Sequence, residues 1–157
     1  MDGNGITFTP ATIADLPAIR ALLGRCGLPT EDLQRERLDN FVACRADDQL
    51  VGVVGIDSVG DIGLLRSLAV VPEFRGRQIA HGLWMRAHDD ARRRAVRRLY
   101  LLTTTAEPLF ARWGFRRVAR DLVPATLQAS EEFTSLCPTS AIAMTRELTR
   151  PSGDSRL

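Results

Sequence analysis

The pattern of apolar runs along these 157 residues predicts an α/β fold of the α+β kind: a mixed, mostly antiparallel central sheet of about six to seven strands with helices on both faces. Three observations carry that expectation. Short apolar runs at 41–44, 50–56 and 64–71 are separated only by the turn formers Asp47-Asp48-Gln49 and the stretch 59–63, connections short enough for an antiparallel meander. The segment 68–80, LAVVPEFRGRQIA, passes from an apolar strand through a proline stop and a basic glycine turn into a helix. Beyond it, helical and strand-like runs alternate, so the sheet is expected to turn from antiparallel to parallel pairing.

The elements follow in order. Ile6 to Thr9 alternates around Phe8 as a first strand, and Ile13, Leu16, Ile19, Leu22 and Leu23 recur at helical spacing behind Thr12. Asp15 and Pro17 fall in that helix's first turn, where acid and proline are tolerated, and Gly27 and Pro29 end it. A second amphipathic piece starts near Glu31 with Leu33, Leu38 and Phe41 as core contacts, and leads into the meander. Ile79, Leu83, Trp84, Ala87 and Ala91 mark one face of a long helix whose C-terminal end is rich in arginine, as its dipole favours. A buried strand over 99–103, a short helix over 107–113 stopped by Gly114, a strand over 115–118, a helical or irregular excursion over 124–133 and a last strand over 141–148 complete one domain of residues 1–150. Residues 151–157 are expected to be a frayed tail.

Composition excludes several function classes. Hydrophobic residues make up 45 % and charged residues 25 % of the chain, the balance of a soluble globular protein. No run approaches the roughly 18 apolar residues of a membrane span, and the first ten residues lack a charged-then-apolar leader, so a cytoplasmic protein with no membrane partner is expected. A net charge of +2 exerts no strong pull on nucleic acid. The run Arg92, Arg93, Arg94, Arg97 and Arg98 has no interleaved aromatics, and reads more simply as a solvated helix end than as a nucleic-acid patch. Cys26, Cys44 and Cys137 are odd in number and widely spaced, which argues against a disulfide framework, a zinc site or a three-thiolate metal site.

The chemistry concentrates where the third run of the meander meets the long helix. A strand that turns directly into a helix presents backbone N–H groups at the helix N-terminus, where the macrodipole favours negative charge. Pro72 stops the strand, Gly76 permits a tight turn, and Arg75 and Arg77 add positive charge. An ordinary strand-to-helix turn with solvated arginines is the alternative. Arg75, Gly76, Arg77, Gln78, Ile79 and Ala80 resemble the R-x-x-G-x-G/A signature of the GNAT superfamily of acetyl-CoA-dependent N-acetyltransferases, with Gln78 standing where the signature has its middle glycine. The resemblance extends over 103–115, TTTAEPLFARWGF, with Thr103 at the family's asparagine position, Ala106 at its alanine, Leu109 at its leucine and Phe110 at its tyrosine.

The resemblance implies acetyl-CoA as donor and a small-molecule amine as acceptor, and leaves the oligomeric state open, a homodimer included. Leu68 and Val70 would hydrogen-bond the pantetheine arm from a splayed strand, residues 75–80 would hold the pyrophosphate, and Phe110 would lie against the coenzyme without the proton a tyrosine can give the leaving thiolate. Two residues before Leu68 many relatives place a glutamate that takes the amine's proton; this chain has Arg66, then Ser67. A guanidinium is no base at neutral pH but pairs well with oxyanions. Arg66 is therefore expected either to anchor an acidic group on the acceptor or to form a structural ion pair with Asp57 or Asp61. His81, His88, Glu131 and Glu132 are weak candidates for a base, each explained as well by packing or a solvated face, so no catalytic residue is assigned.

A narrower likeness joins residues 64–70, LLRSLAV, 100–105, YLLTTT, and 132–141, EFTSLCPTSA, to the arsenic-resistance N-acetyltransferase branch of that superfamily. It implies an amino-acid-like acceptor, arsenic or phosphorus analogues among them, in a pocket to which Arg66, Ser67, Thr103 and Cys137 would contribute. A non-catalytic acyl-CoA sensor is the rival reading, given the changed residues at positions 66, 78 and 110.

Overall fold

The computed structural model describes residues 5–28, 30, 38, 40–128 and 141–148. The parts of the chain expected to form a helix from Glu31, the excursion beyond 128 and the tail lie outside them. Seven strands are joined in one sheet: β1 (Ile6–Pro10), β2 (Phe41–Ala46), β3 (Gln49–Val59), β4 (Ile62–Val70), β5 (Arg98–Thr103), β6 (Arg116–Arg117) and β7 (Ile142–Glu147), in the order β1-β2-β3-β4-β5-β7-β6. Helices α1 (Leu16–Arg25), α2 (Ile79–Arg93), α3 (Glu107–Arg112) and α4 (Ala125–Gln128) connect them. β1 with β2, β2 with β3, β5 with β7 and β6 with β7 are antiparallel, while β4 and β5 are parallel. The mixed, mostly antiparallel sheet is thus the one the apolar runs predict. Among the described residues, no helix is long and apolar enough to cross a membrane.

By its contacts the chain forms two compact units, residues 1–57 with 66–90 and residues 58–65 with 91–157. In the first, the meander β1–β3 forms because its inward residues are apolar and its connections short; Phe41, Val51, Val53, Val54 and Ile56 are all sealed from solvent. α1 starts at a local carboxylate: Asp15 Oδ2 accepts the Thr12 N–H at 2.8 Å and Arg45 Nη2 from β2 at 2.7 Å. Burial pushes the Asp15 carboxyl's pKa up, but those hydrogen bonds outweigh it and hold the carboxyl below its ordinary value. The helix then buries Ile19, Leu22 and Leu23.

α2 packs on the same unit through Ile79, Leu83, Trp84 and Ala87. Two glycines set how near it comes. A Cβ at Gly52 on β3 would meet Leu83 and Ile79 at 3.1 and 3.2 Å, and one at Gly82 on the helix would lie 2.4 Å from the Phe8 ring on β1. Arg86 Nη1 reinforces the seat by donating to the Phe8 carbonyl at 2.9 Å.

In the second unit β5 is flanked on both sides. Its first residues pair with Ile62, Gly63 and Leu64 of β4, and its whole length pairs with β7. Leu64, Tyr100, Val123, Leu127 and Ala143 form the apolar cluster beneath. α3 ends at Gly114, whose φ of +92° closes the helix, and Glu107 on it grips Arg117 with two short contacts. The strand expected over 115–118 is limited to β6, because Phe115 turns into an aromatic cluster with Phe110.

Candidate functional site

The strand that carries the site is bent at one residue. Ser67 lies inside β4 with φ +61°, a left-handed conformation that side chains rarely adopt and that within a strand marks a bulge. Leu68, Ala69 and Val70 follow it in the same strand. Val71 still donates its N–H to Val51 at 2.9 Å, and Pro72 then opens a single 3₁₀ turn, Pro72–Phe74.

The connection into α2 alternates its backbone hand. Gly76 has φ +82° and Gln78 has φ +66°. Such alternation turns successive N–H groups to one side and forms a concavity suited to an anion. α2 follows at once, its first helical bond running from Gly82 N–H to the Gln78 carbonyl at 3.0 Å, so the amides of Ile79 and Ala80 precede the helical ladder. A Cβ placed at Gly76 would meet nothing within 4 Å, so the glycine serves its positive φ and not close packing. The turn expected over Arg75 to Ala80 thus has two left-handed residues immediately before a helix N-terminus, the backbone pattern that suits an anion. Position 78 is the exception in residue type, because a left-handed site carries a glutamine.

The arginines sit differently from the expectation. Arg75 Nε donates to the Val70 carbonyl at 3.2 Å, and its Nη2 lies 3.6 Å from Cys26 Sγ. The Val70 carbonyl is thus engaged by the chain's own guanidinium, a correction to the expectation that the peptide groups of Val70 stand open. Arg77 lies over the Phe74 ring, 4.5 Å from its centroid, which tethers its charge beside the turn. Glu73 is drawn away by Arg25, 3.2 Å distant.

Arg66, just before the bulge, takes the geometry of the ion-pair alternative. Its Nη1 is 3.6 Å from Asp57 Oδ2 on β3, and its Nε donates to the Ser67 hydroxyl at 3.0 Å. Solvent reaches 1 % of the Arg66 side chain but 21 % of Asp57. Of the two alternatives for Arg66, the ion pair with Asp57 is the one this geometry contains. Sequence reasoning named Asp57 only as a structural partner, and hairpin register is what could have promoted it.

Thr103 and Phe110 belong to the second unit. The Thr103 hydroxyl accepts the Ala106 N–H at 2.9 Å, which fixes the turn into α3. Phe110 is buried, edge-on to Trp113 and Phe115, so both residues perform local structural work. His88 is buried against the Trp84 ring and His81 is exposed on α2. Cys44 is buried and its thiol pKa is pushed up to about 11 by that burial, so it stays protonated and unreactive. Cys137, Glu131 and Glu132 lie outside the described residues. Among the described residues no three His, Cys, Asp or Glu side chains gather as metal ligands.

The fold has counterparts among known proteins. The chain resembles N-acetylglutamate synthase from Neisseria gonorrhoeae, solved with coenzyme A and N-acetyl-glutamate, at TM-score 0.79 and 24 % identity, over 92 % of this chain and 35 % of that one. It spans about a third of the synthase's length. A Mycobacterium tuberculosis protein solved in complex with CoA matches at TM-score 0.77 and 24 % identity, over 91 % of this chain and 99 % of that one. The ribosomal-protein-S18-alanine N-acetyltransferase from Escherichia coli matches at TM-score 0.71 and 19 % identity, over 97 % and 98 %. No curated protein sequence matches the chain. The model of the acetyltransferase (GNAT) family matches residues 15–115, well over half of the chain, and this protein belongs to that family.

Proposed function

We propose that this chain is an N-acetyltransferase that moves the acetyl group of acetyl-CoA to the amine of a small molecule by direct attack on the thioester. The observation that carries the reading is the turn at the start of α2, where left-handed Gly76 and Gln78 give the alternating backbone that suits an anion at a helix N-terminus. The left-handed Ser67 within β4 supports it, since an irregular strand backbone is where peptide groups become available to an extended amide-bearing arm. Phe110 supplies no proton, and none is required: a thiolate whose conjugate acid has a pKa of about 8.5 is a serviceable leaving group. Holding amine and thioester in line contributes roughly 7 to 11 kcal/mol to the rate.

The finer reading places the acceptor among amino-acid-like compounds, with arsenic- and phosphorus-containing analogues of the arsenic-resistance branch as leading candidates, in a cytoplasmic protein. Its support is the sequence likeness at 64–70, 100–105 and 132–141, together with a neighbouring structure whose acetylated product is an amino acid. Calorimetry with acetyl-CoA and a thiol-release assay over a panel of amines test both levels. Binding with turnover, fastest on amino-acid-like acceptors, is the expected result. Binding without turnover on any amine favours a sensor, and failure to bind acetyl-CoA overturns the function altogether.

A further inference from the structure

We propose that Arg75 serves the coenzyme as a positioning residue: it braces the turn over residues 75–80 against the ends of α1 and β4, and acts through that brace rather than through its charge. The inference rests on the acetyltransferase reading, in which this turn is the proposed cradle for the coenzyme's diphosphate. The sequence offers Arg75 and Arg77 as two positive charges of one kind. Their contacts separate them. Arg75 Nε donates to the Val70 carbonyl at 3.2 Å, and its Nη2 lies 3.6 Å from Cys26 Sγ. These two donors share one edge of the rigid guanidinium, so both contacts are met at once. The Cys26 thiol donates to the same Val70 carbonyl at 3.8 Å and closes a triangle among α1, β4 and the turn. Arg77 instead lies over the Phe74 ring, 4.5 Å from its centroid, with the residue exposed.

The end of α1 holds the same segment at a second point. Arg25, the helix's last residue, meets Glu73 at 3.2 Å, and Cys26 follows as its cap. That ion pair is well exposed on both sides and contributes little by itself. Val70 is buried, so the hydrogen bond that Arg75 makes to its carbonyl is the better shielded tie. Beyond Val71 the chain has a single 3₁₀ turn, Pro72–Phe74, and then the left-handed Gly76 and Gln78. A short irregular connection of this kind must be ordered before it can hold an anion. A guanidinium that ties it down in the free protein removes that cost from binding.

The experiment measures acetyl-CoA affinity by calorimetry in wild type, Arg75→Gln, Arg75→Lys and Arg75→Met, each well below its own thermal midpoint. Glutamine places an amide N–H where arginine has Nε and carries no charge. Lysine keeps the charge with a carbon at that place, and methionine has neither donor nor charge. Arg75→Gln is expected to lose about threefold in affinity, and Arg75→Lys and Arg75→Met about tenfold each. Cys26→Ala is expected to weaken binding in the wild-type background and to add little to Arg75→Met, because both remove one shared contact. A charge acting directly on the diphosphate gives a different order, with lysine best and glutamine equal to methionine. A purely structural role lowers the thermal midpoints and leaves the affinity of the folded variants in place. Wild-type binding with glutamine no better than lysine or methionine overturns the brace and leaves the acetyltransferase reading intact; if one of those two variants does not fold, the other decides. A wild type that does not bind acetyl-CoA overturns that reading, and the brace with it.

Discussion

Gln78 occupies a backbone site that suits glycine, and its φ of +66° concentrates strain at the mouth of the cradle. A residue with a Cβ held in that region costs about 1 to 2 kcal/mol. Glycine relieves this, at an entropic cost of roughly 0.5 to 1 kcal/mol from its looser unfolded chain. The first term is the larger, so Gln78→Gly is expected to raise stability slightly and to bind acetyl-CoA several-fold tighter, since the diphosphate then approaches bare backbone. Gln78→Ala keeps both the Cβ and the strained φ, and is expected to match wild type in calorimetry; tightening by the alanine variant as well would place the obstacle in the glutamine side chain rather than in the backbone. The departure at position 78 is visible in the sequence, but its left-handed φ is not, because residue type reports backbone hand reliably only when it is glycine. Ser67 is hidden for the same reason. The Arg66–Asp57 pair was half legible: two aspartates flank the hairpin, and only strand register chooses between them.

α2 converts sheet packing into site geometry. Its buried face is plain in the sequence, since Ile79, Leu83, Trp84, Ala87 and Ala91 recur at helical spacing and all are buried. What periodicity omits is depth. Gly82 interrupts a helical run where propensity alone would favour alanine by about 1 kcal/mol, and its reason is the Phe8 ring, 2.4 Å from where a Cβ would lie. Gly82→Ala therefore sets overpacking of about 1 to 3 kcal/mol against that gain in propensity. The expected outcome is a net loss of about 1 kcal/mol, and, because Ile79 and Ala80 ride on the same helix, weaker acetyl-CoA binding. Adding Phe8→Leu in the same chain removes the clash, so the double variant should recover affinity, a coupling readable in a double-mutant cycle. Additive losses would show that Gly82 serves something other than the approach to β1. Short elements were the least legible. β6 pairs over only two residues because Phe115 is claimed by the Phe110 cluster, a competition that no local pattern records.

At the scale of the whole molecule, sheet order was legible because connection lengths constrain it: two short turns make β2, β3 and β4 a meander, and the crossover through α2 delivers β5 parallel to β4. The acceptor was not legible to the same degree, since Cys137 and its neighbours are named by likeness alone. The coenzyme's grip has a global readout that needs no acceptor. A ligand that binds only the folded state at 100 times its Kd adds about 2.7 kcal/mol of stability. For a chain of this size each kcal/mol moves the thermal midpoint by about 2 to 4 °C, so saturating acetyl-CoA is expected to raise it by about 5 to 11 °C. The proposed grip on the diphosphate rather than the thioester predicts that coenzyme A lacking its sulfur produces nearly the same shift, and adenosine none. Equal shifts from adenosine and the full coenzyme would locate binding away from the start of α2. A shift that grows in Gln78→Gly and shrinks in Gly82→Ala ties the global stabilisation to the backbone of that one turn.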